Sequence, residues 1–113
     1  MANQSVNLTR KLASAQESHA VSSRATVTPS IVYRIYTEFY PNLVDLTLRY
    51  FAGSTHYFGN GVYEGNIESA GVIEVIADLD ALQSIVHLAG DIKEVNRQDS
   101  VLVTYAPVTL VAV

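Results

Sequence analysis

Ile31–Tyr40 reads IVYRIYTEFY, a run of β-branched and aromatic residues that marks a strand. Alternation splits it into two faces. Ile31, Tyr33, Ile35, Thr37 and Phe39 form one, and it is the better core candidate. Val32, Arg34, Tyr36, Glu38 and Tyr40 form the other. With charge and two phenols, that second face reads as a surface, an interface or the floor of a ligand site.

Downstream, Pro41 suits the first turn of a helix, where its missing N–H costs nothing. Leu43, Val44, Leu48 and Phe51 then recur at helical spacing, with Leu46 and Tyr50 beside them. Gly53 is the expected C-terminal glycine of this helix. Strand character returns at Ser54–Phe58. Two readings of the next segment compete. Asn60-Gly61 is a strong tight-turn dipeptide and could close a hairpin there. Alternatively, one long bulged strand turns near Gly65–Ser69. Gly71–Ala77, GVIEVIA, needs a long partner strand, which favours the second reading.

Asp78 or Asp80 is expected to cap a second helix. Its apolar stripe is Leu82, Ile85, Val86, Ala89 and Ile92. Gly90 inside it marks close packing or an early break, at a cost of about 1 kcal/mol relative to alanine. The polar stretch Lys93–Asp99 closes the helix. Val101–Val113, VLVTYAPVTLVAV, is a last strand in which Pro107 implies an edge, a bulge or a break. The order β-α-β-β-α-β predicts an α+β, ferredoxin-like fold. Right-handed crossovers put both helices on one face of a four-stranded antiparallel sheet. The other face is left uncovered, which predicts a homo-oligomer.

Composition bounds the rest. A chain of 113 residues implies one small domain. At 49% hydrophobic and 16% charged it is not wholly disordered. No run approaches the roughly 18–20 apolar residues of a membrane span. Without cysteine there are no disulfides, thiolate metal sites or Cys nucleophiles.

Charge divides the chain at Pro29. Residues 1–30 carry Arg10, Lys11 and Arg24 against Glu17, a net +2, and no aromatic residue. Residues 31–113 carry four cations against ten carboxylates, a net −6, and all ten aromatics. So acidic a body makes a poor general nucleic-acid binder. Residues 1–30 read as an N-terminal arm, flexible or ordered by a partner, and 31–113 as the folded domain. The Asn7–Ala20 segment offers only Leu8, Leu12 and alanines as a helix face, too little to fold alone. A basic arm can lie across the acidic body of a second copy, and an organellar transit peptide shares its composition. No secretory signal is visible, which points to the cytoplasm.

Catalytic signatures are sparse. His19, His56 and His87 have no metal spacing, and no cofactor or metal is expected. His56 in STHY reads as a strand residue and His87 as the flank of the second helix stripe. Glu64 and Glu68 read as a solvated hairpin, since no nucleophile accompanies them. GNGVYEG lacks both the dinucleotide and the P-loop pattern. A hairpin bearing Tyr57, Phe58, Asn60, Tyr63 and Asn66 nevertheless has the chemistry to hold a planar base: rings stack on it and amides read its edge. The same aromatics would equally pack a subunit interface. Arg97, in the polar turn after the second helix, either meets a phosphate or stabilises the helix C-terminus.

GNGVYEGNIESAGVIEVIAD, followed by a helix and NRQDSVLVTYAPV, resembles small phage and prophage α/β proteins. The residues carrying the resemblance are Gly61, Tyr63, Gly65, Glu68, Gln98, Asp99 and Val101 to Thr104. It spans about Ile31 to Val108 and is similar to the phage anti-Thoeris sponge family, whose members sequester cyclic ADP-ribose signals without cleaving them. The resemblance implies a non-enzymatic, oligomeric binder of a small nucleotide-like ligand in the cytoplasm of an infected bacterium. In this reading Arg34 or Arg97 meets phosphate, Tyr57 or Tyr63 stacks on the base, and Asn60, Asn66 or Thr104 reads edges or hydroxyls. The alternative is a structural or assembly protein of a phage or other homo-oligomeric particle, its arm linking subunits.

Overall fold

β1 runs over Thr26–Glu38 at the centre of a four-stranded antiparallel sheet, in a computed structural model that describes residues 24–113. The Asn7–Ala20 segment and the rest of the arm before Arg24 lie outside the described residues. The sheet begins earlier than the sequence suggested. Thr26–Ser30, assigned to the arm, pair with β4 as far as Ala112, and Pro29 lies inside the strand opposite Thr109.

After β1 come α1 (Leu43–Leu48), β2 (Thr55–Tyr63), β3 (Asn66–Ala77), a 3₁₀ turn (Leu79–Ala81), α2 (Leu82–Val95) and β4 (Leu102–Ala112). The spatial order β2-β3-β1-β4, with both helices packed on one face, is the expected ferredoxin-like α+β fold.

Alternation in β1 places the core largely as its sequence predicts, although Val32, on the face expected to be a surface, is also buried at 4% exposure. Ile31, Tyr33, Ile35 and Thr37 are buried toward the helices. Phe39 is the exception. It lies beyond the strand, 41% exposed, with its ring edge-on to Phe58 at 4.9 Å. Ile73 and Val75 of β3 continue the layer, which Leu43 and Leu46 of α1 and Ile85, Leu88, Ala89 and Ile92 of α2 cover. Tyr33 enters this core because its hydroxyl donates to the Asp78 carbonyl at 2.6 Å, and burial raises the phenol pKa.

The expected helix stripes hold in part, with Ile85, Ala89 and Ile92 of α2 buried as expected and Leu82 packed against the core. In α1 the buried residues are Leu43, Leu46 and Thr47, while Val44 and Leu48 are exposed. Thr47 is tolerated there because its hydroxyl donates to the Leu43 carbonyl at 2.7 Å. Gly53 is no cap: the helix ends at Leu48, and the Tyr50 and Phe51 N–H groups close its last turn on the Thr47 carbonyl. In α2, Leu88 is buried and Val86 is 53% exposed. The Asp78 side chain makes no cap hydrogen bond. Its carbonyl instead accepts from the Ala81 N–H and opens the 3₁₀ turn. Gly90 neither breaks α2 nor marks close packing, since a Cβ there would meet nothing within 4 Å. Close packing occurs at Gly71 instead, where a Cβ would meet Leu43 Cδ1 at 3.2 Å.

The hairpin turns at Glu64-Gly65, not at Asn60-Gly61. Positive φ at both residues (50° and 79°) defines a two-residue type I′ turn. β2 is the long strand that GVIEVIA requires, but it carries no bulge, with register unbroken from Thr55↔Glu74 to Tyr63↔Asn66. Asn60 and Gly61 lie within it. Pro107 sits, as expected, on an edge strand.

Candidate functional site

Strand pairing places opposed residues on the same side of a sheet, so register alone defines the face that the helices leave open. One row across it is Thr104–Arg34–Glu74–Thr55, and the next is Leu102–Tyr36–Val72–Tyr57. Further along lie Glu38, Ala70 and Gly59, then Gly61 with Glu68, then Tyr63 with Asn66. Five of the seven expected site residues therefore share one face: Arg34, Tyr57, Tyr63, Asn66 and Thr104.

The other two do not join them. Asn60 pairs with Ser69 and belongs to the opposite side. Arg97 follows α2 in a left-handed conformation (φ 54°). Its N–H donates to the Glu94 carbonyl and that of Gln98 to the Lys93 carbonyl, a Schellman closure of the helix. Its backbone thus closes the helix.

The polar centre of the open face is a small network. Arg34 Nη2 lies 3.7 Å from Glu74 Oε1, and the Tyr57 hydroxyl donates to Glu74 Oε2 at 2.9 Å. That hydrogen bond is the main cause of the raised Tyr57 pKa. At 3.7 Å the ion pair is loose, and the Arg34 side chain is 44% exposed, so the guanidinium is available to an incoming anion.

Where this face meets the loop before β4 there is a cleft of about 510 Å³. Tyr36, Glu38, Tyr63, Glu68, Gln98 and Leu102 are among its walls. Gln98 braces it: the amide Nε2 donates to Thr37 Oγ1 at 2.6 Å, and Oε1 accepts from the Glu38 N–H at 3.1 Å. Tyr36 and Gln98 were not expected as site residues. Alternation in IVYRIYTEFY already put Tyr36 beside Arg34, whereas Gln98, though part of the NRQDSVLVT motif, meets partners about sixty residues earlier that no local pattern indicates. Among the described residues, the cleft walls carry Glu38, Glu68 and Asp99 and no Lys or Arg. The acidic cleft is thus unfavourable to a phosphate, and the cation on this face is in the Arg34 row.

His56 is half-buried on the helix side, its Nε2 2.9 Å from Ser54 Oγ and its Nδ1 buried without a partner. An orphaned N–H costs more to bury than a bare lone pair, which puts the proton on Nε2, donating to Ser54. In that tautomer His56 is no base for the serine. Burial lowers the His56 pKa below its usual 6.5. The folded state then binds fewer protons than the unfolded chain, so stability falls as pH drops below about 6.5. His56→Phe is expected to flatten this dependence, read as urea midpoints at pH 7.5 and 5.5. An equal loss in both proteins would assign the acid sensitivity elsewhere.

The fold and face together define a class: a ferredoxin-like α+β protein whose helix-free sheet surface is both aromatic and charged. No family model matches the chain, and no curated protein matches it. Solved structures do. A nitrogen regulatory PII-like protein from Thiomonas intermedia K12, bound to ADP, AMP and bicarbonate, aligns with TM-score 0.57 and 13% identity, over 75% of this chain and 96% of that one. Its apo form gives 0.56 at 10% identity, over 79% and 99%. A PII-like signaling protein from Thermus thermophilus gives 0.51 at 18%, over 74% and 90%. At such identities the likeness is one of fold. No helix among the described residues is long and apolar enough to cross a membrane.

Proposed function

We propose that this chain is a non-enzymatic, oligomeric binder of a nucleotide-derived ligand, held on the helix-free face. The observation that carries the reading is the Thr104–Arg34–Glu74 row with Tyr57 beside it. It supplies an anion-binding guanidinium, a hydroxyl and an exposed ring within one patch of sheet. The same Thiomonas intermedia protein, also solved with ADP, AMP and acetate, lends support through its fold. In the finer form of the proposal the ligand is a cyclic ADP-ribose isomer, sequestered uncleaved in the cytoplasm of a phage-infected bacterium. The motif around Gly61, Tyr63, Gly65 and Glu68 suggests this form. Arg34 meets phosphate, Tyr57 or Tyr63 stacks on the base, and Asn66 or Thr104 reads edges or hydroxyls.

Thermal melting with ADP, AMP, cyclic ADP-ribose isomers and cyclic oligonucleotides tests both levels. A ligand at a hundred times its Kd adds about 2.7 kcal/mol, which raises Tm on the order of 10 °C in a domain this small. No shift with any of them would reject the nucleotide reading. A shift with ADP alone would keep the class and discard the sponge. Recovery of altered ligand would replace sequestration by catalysis.

One feature favours the second reading, an assembly protein whose arm links copies. Val62 and Ile67, paired near the hairpin tip, are 72% and 74% exposed, an apolar surface suited to packing on a neighbour.

A further inference from the structure

We propose that the outer edge of β2 pairs with β2 of a second copy, antiparallel, about a twofold axis at Gly59. The hairpin turn fixes which backbone groups are free to do so. Residues flanking a two-residue turn exchange both backbone hydrogen bonds. Tyr63, Gly61, Gly59, Tyr57 and Thr55 therefore direct their N–H and C=O groups at β3. His56, Phe58, Asn60 and Val62 direct theirs outward, where the sheet has no further strand among the described residues.

The same alternation carried through β3 and β1 turns the odd-numbered residues of β4 outward, so Pro107 leaves a gap in that edge's row of donors. β2 has no such protection. THYFGNGVY contains no proline and no Lys, Arg, Asp or Glu, the devices that normally keep an edge strand from pairing.

The strand is also complementary to itself. Rotation about Gly59 matches outward-facing residues with outward-facing residues: His56 with the second copy's Val62, and Phe58 with its Asn60. All nine residues of β2 take part. Tyr57 then stands opposite a glycine, Gly61 of the second copy, which leaves its ring room. Thr55 stands opposite the second copy's Tyr63, so the Thr104–Arg34–Glu74–Thr55 row continues into a phenol from the other subunit. That last consequence rests on the ligand reading; the pairing itself does not.

The test uses the full chain without ligand. Because the protein has no cysteine, a single Gly59→Cys places one thiol per chain. Across the axis two such residues form a non-hydrogen-bonded antiparallel pair, with Cα atoms about 4.5 Å apart, within the range a disulfide spans. A Cβ at Gly59 meets nothing within 4 Å, and the same holds at Gly53, the control position in the loop before β2. Mild oxidation at low micromolar protein is expected to convert Gly59→Cys to a covalent dimer, with Gly53→Cys remaining largely monomeric. Asn60→Pro, which deletes one outward N–H, is expected to move the sedimenting species from dimer to monomer. Cross-linking of Gly59→Cys no faster than the control, or a monomer or trimer in sedimentation of the unaltered chain, would overturn the proposal. A nucleotide-induced melting shift without cross-linking would remove this interface and leave the binding function standing.

Discussion

Leu88→Ala is expected to destabilise the protein by about 3 kcal/mol, the middle of the range for leucine truncation in a core, and Val86→Ala by less than about 0.5 kcal/mol. The two residues are neighbours on α2, are both apolar, and differ in exposure from 0% to 53%. Leu88 lies in the cluster that joins Tyr33, Ile35 and Ile73 of the sheet to Ile85 and Ile92 of the helix. Its removal leaves a cavity that rigid strands fill poorly. Val86 loses little area, and alanine is the better helix former there. In a domain with roughly 5–15 kcal/mol in total, the first variant should melt more than about 10 °C lower, and the second within a few degrees of the parent. Equal losses would mean that α2 is rotated about its axis relative to this packing.

That pair also shows what could be read from the sequence. Counted from Ile85, positions i+3, i+4 and i+7 fall on Leu88, Ala89 and Ile92, whereas Val86 at i+1 lies about 100° round the helix. The signal for Leu88 was in the spacing. β1 was readable for the same kind of reason, since period-two alternation in IVYRIYTEFY separates buried Ile31, Tyr33, Ile35 and Thr37 from exposed Arg34 and Tyr36.

The hairpin was harder. Asn60-Gly61 has the stronger local turn preference, yet the turn forms at Glu64-Gly65. Turning there gives β3 a nine-residue partner, and ladder hydrogen bonds outweigh a dipeptide preference. The displacement has a functional consequence. Pairing Thr55 with Glu74 and Tyr57 with Val72 sets those residues on the face of Arg34 and Tyr36. It also sets Asn60 on the other, because a slip of one residue exchanges the two faces. Gln98 was beyond reach for a different reason. Its amide acts on Thr37 and Glu38, and no local pattern encodes a contact so distant in sequence.

Arg34 and Glu74 provide the sharpest test of the proposed site, because their substitutions should act in opposite directions. A phosphate approaching the open face meets a guanidinium already engaged, though loosely, by a carboxylate that also accepts from Tyr57. To bind bidentately, Arg34 must turn from Glu74, and Glu74 meanwhile repels the incoming charge. Arg34→Ala is expected to weaken binding of ADP or a cyclic ADP-ribose isomer about 10- to 100-fold, as charged hydrogen bonds of about 1.5–3 kcal/mol require. Arg34→Lys should recover only part of this, since an ammonium keeps the charge and loses the fork. Glu74→Gln should tighten binding several-fold, because the amide neither competes for the guanidinium nor repels phosphate. Titration calorimetry at two ionic strengths separates the causes: the gain in Glu74→Gln should shrink as salt screens the carboxylate it removes, while the loss in Arg34→Ala should persist in both buffers. Should Glu74→Gln weaken binding instead, Glu74 would be a ligand contact in its own right. The site would then recognise a hydroxyl or amino group at that point of the sheet, and the phosphate would have to lie elsewhere.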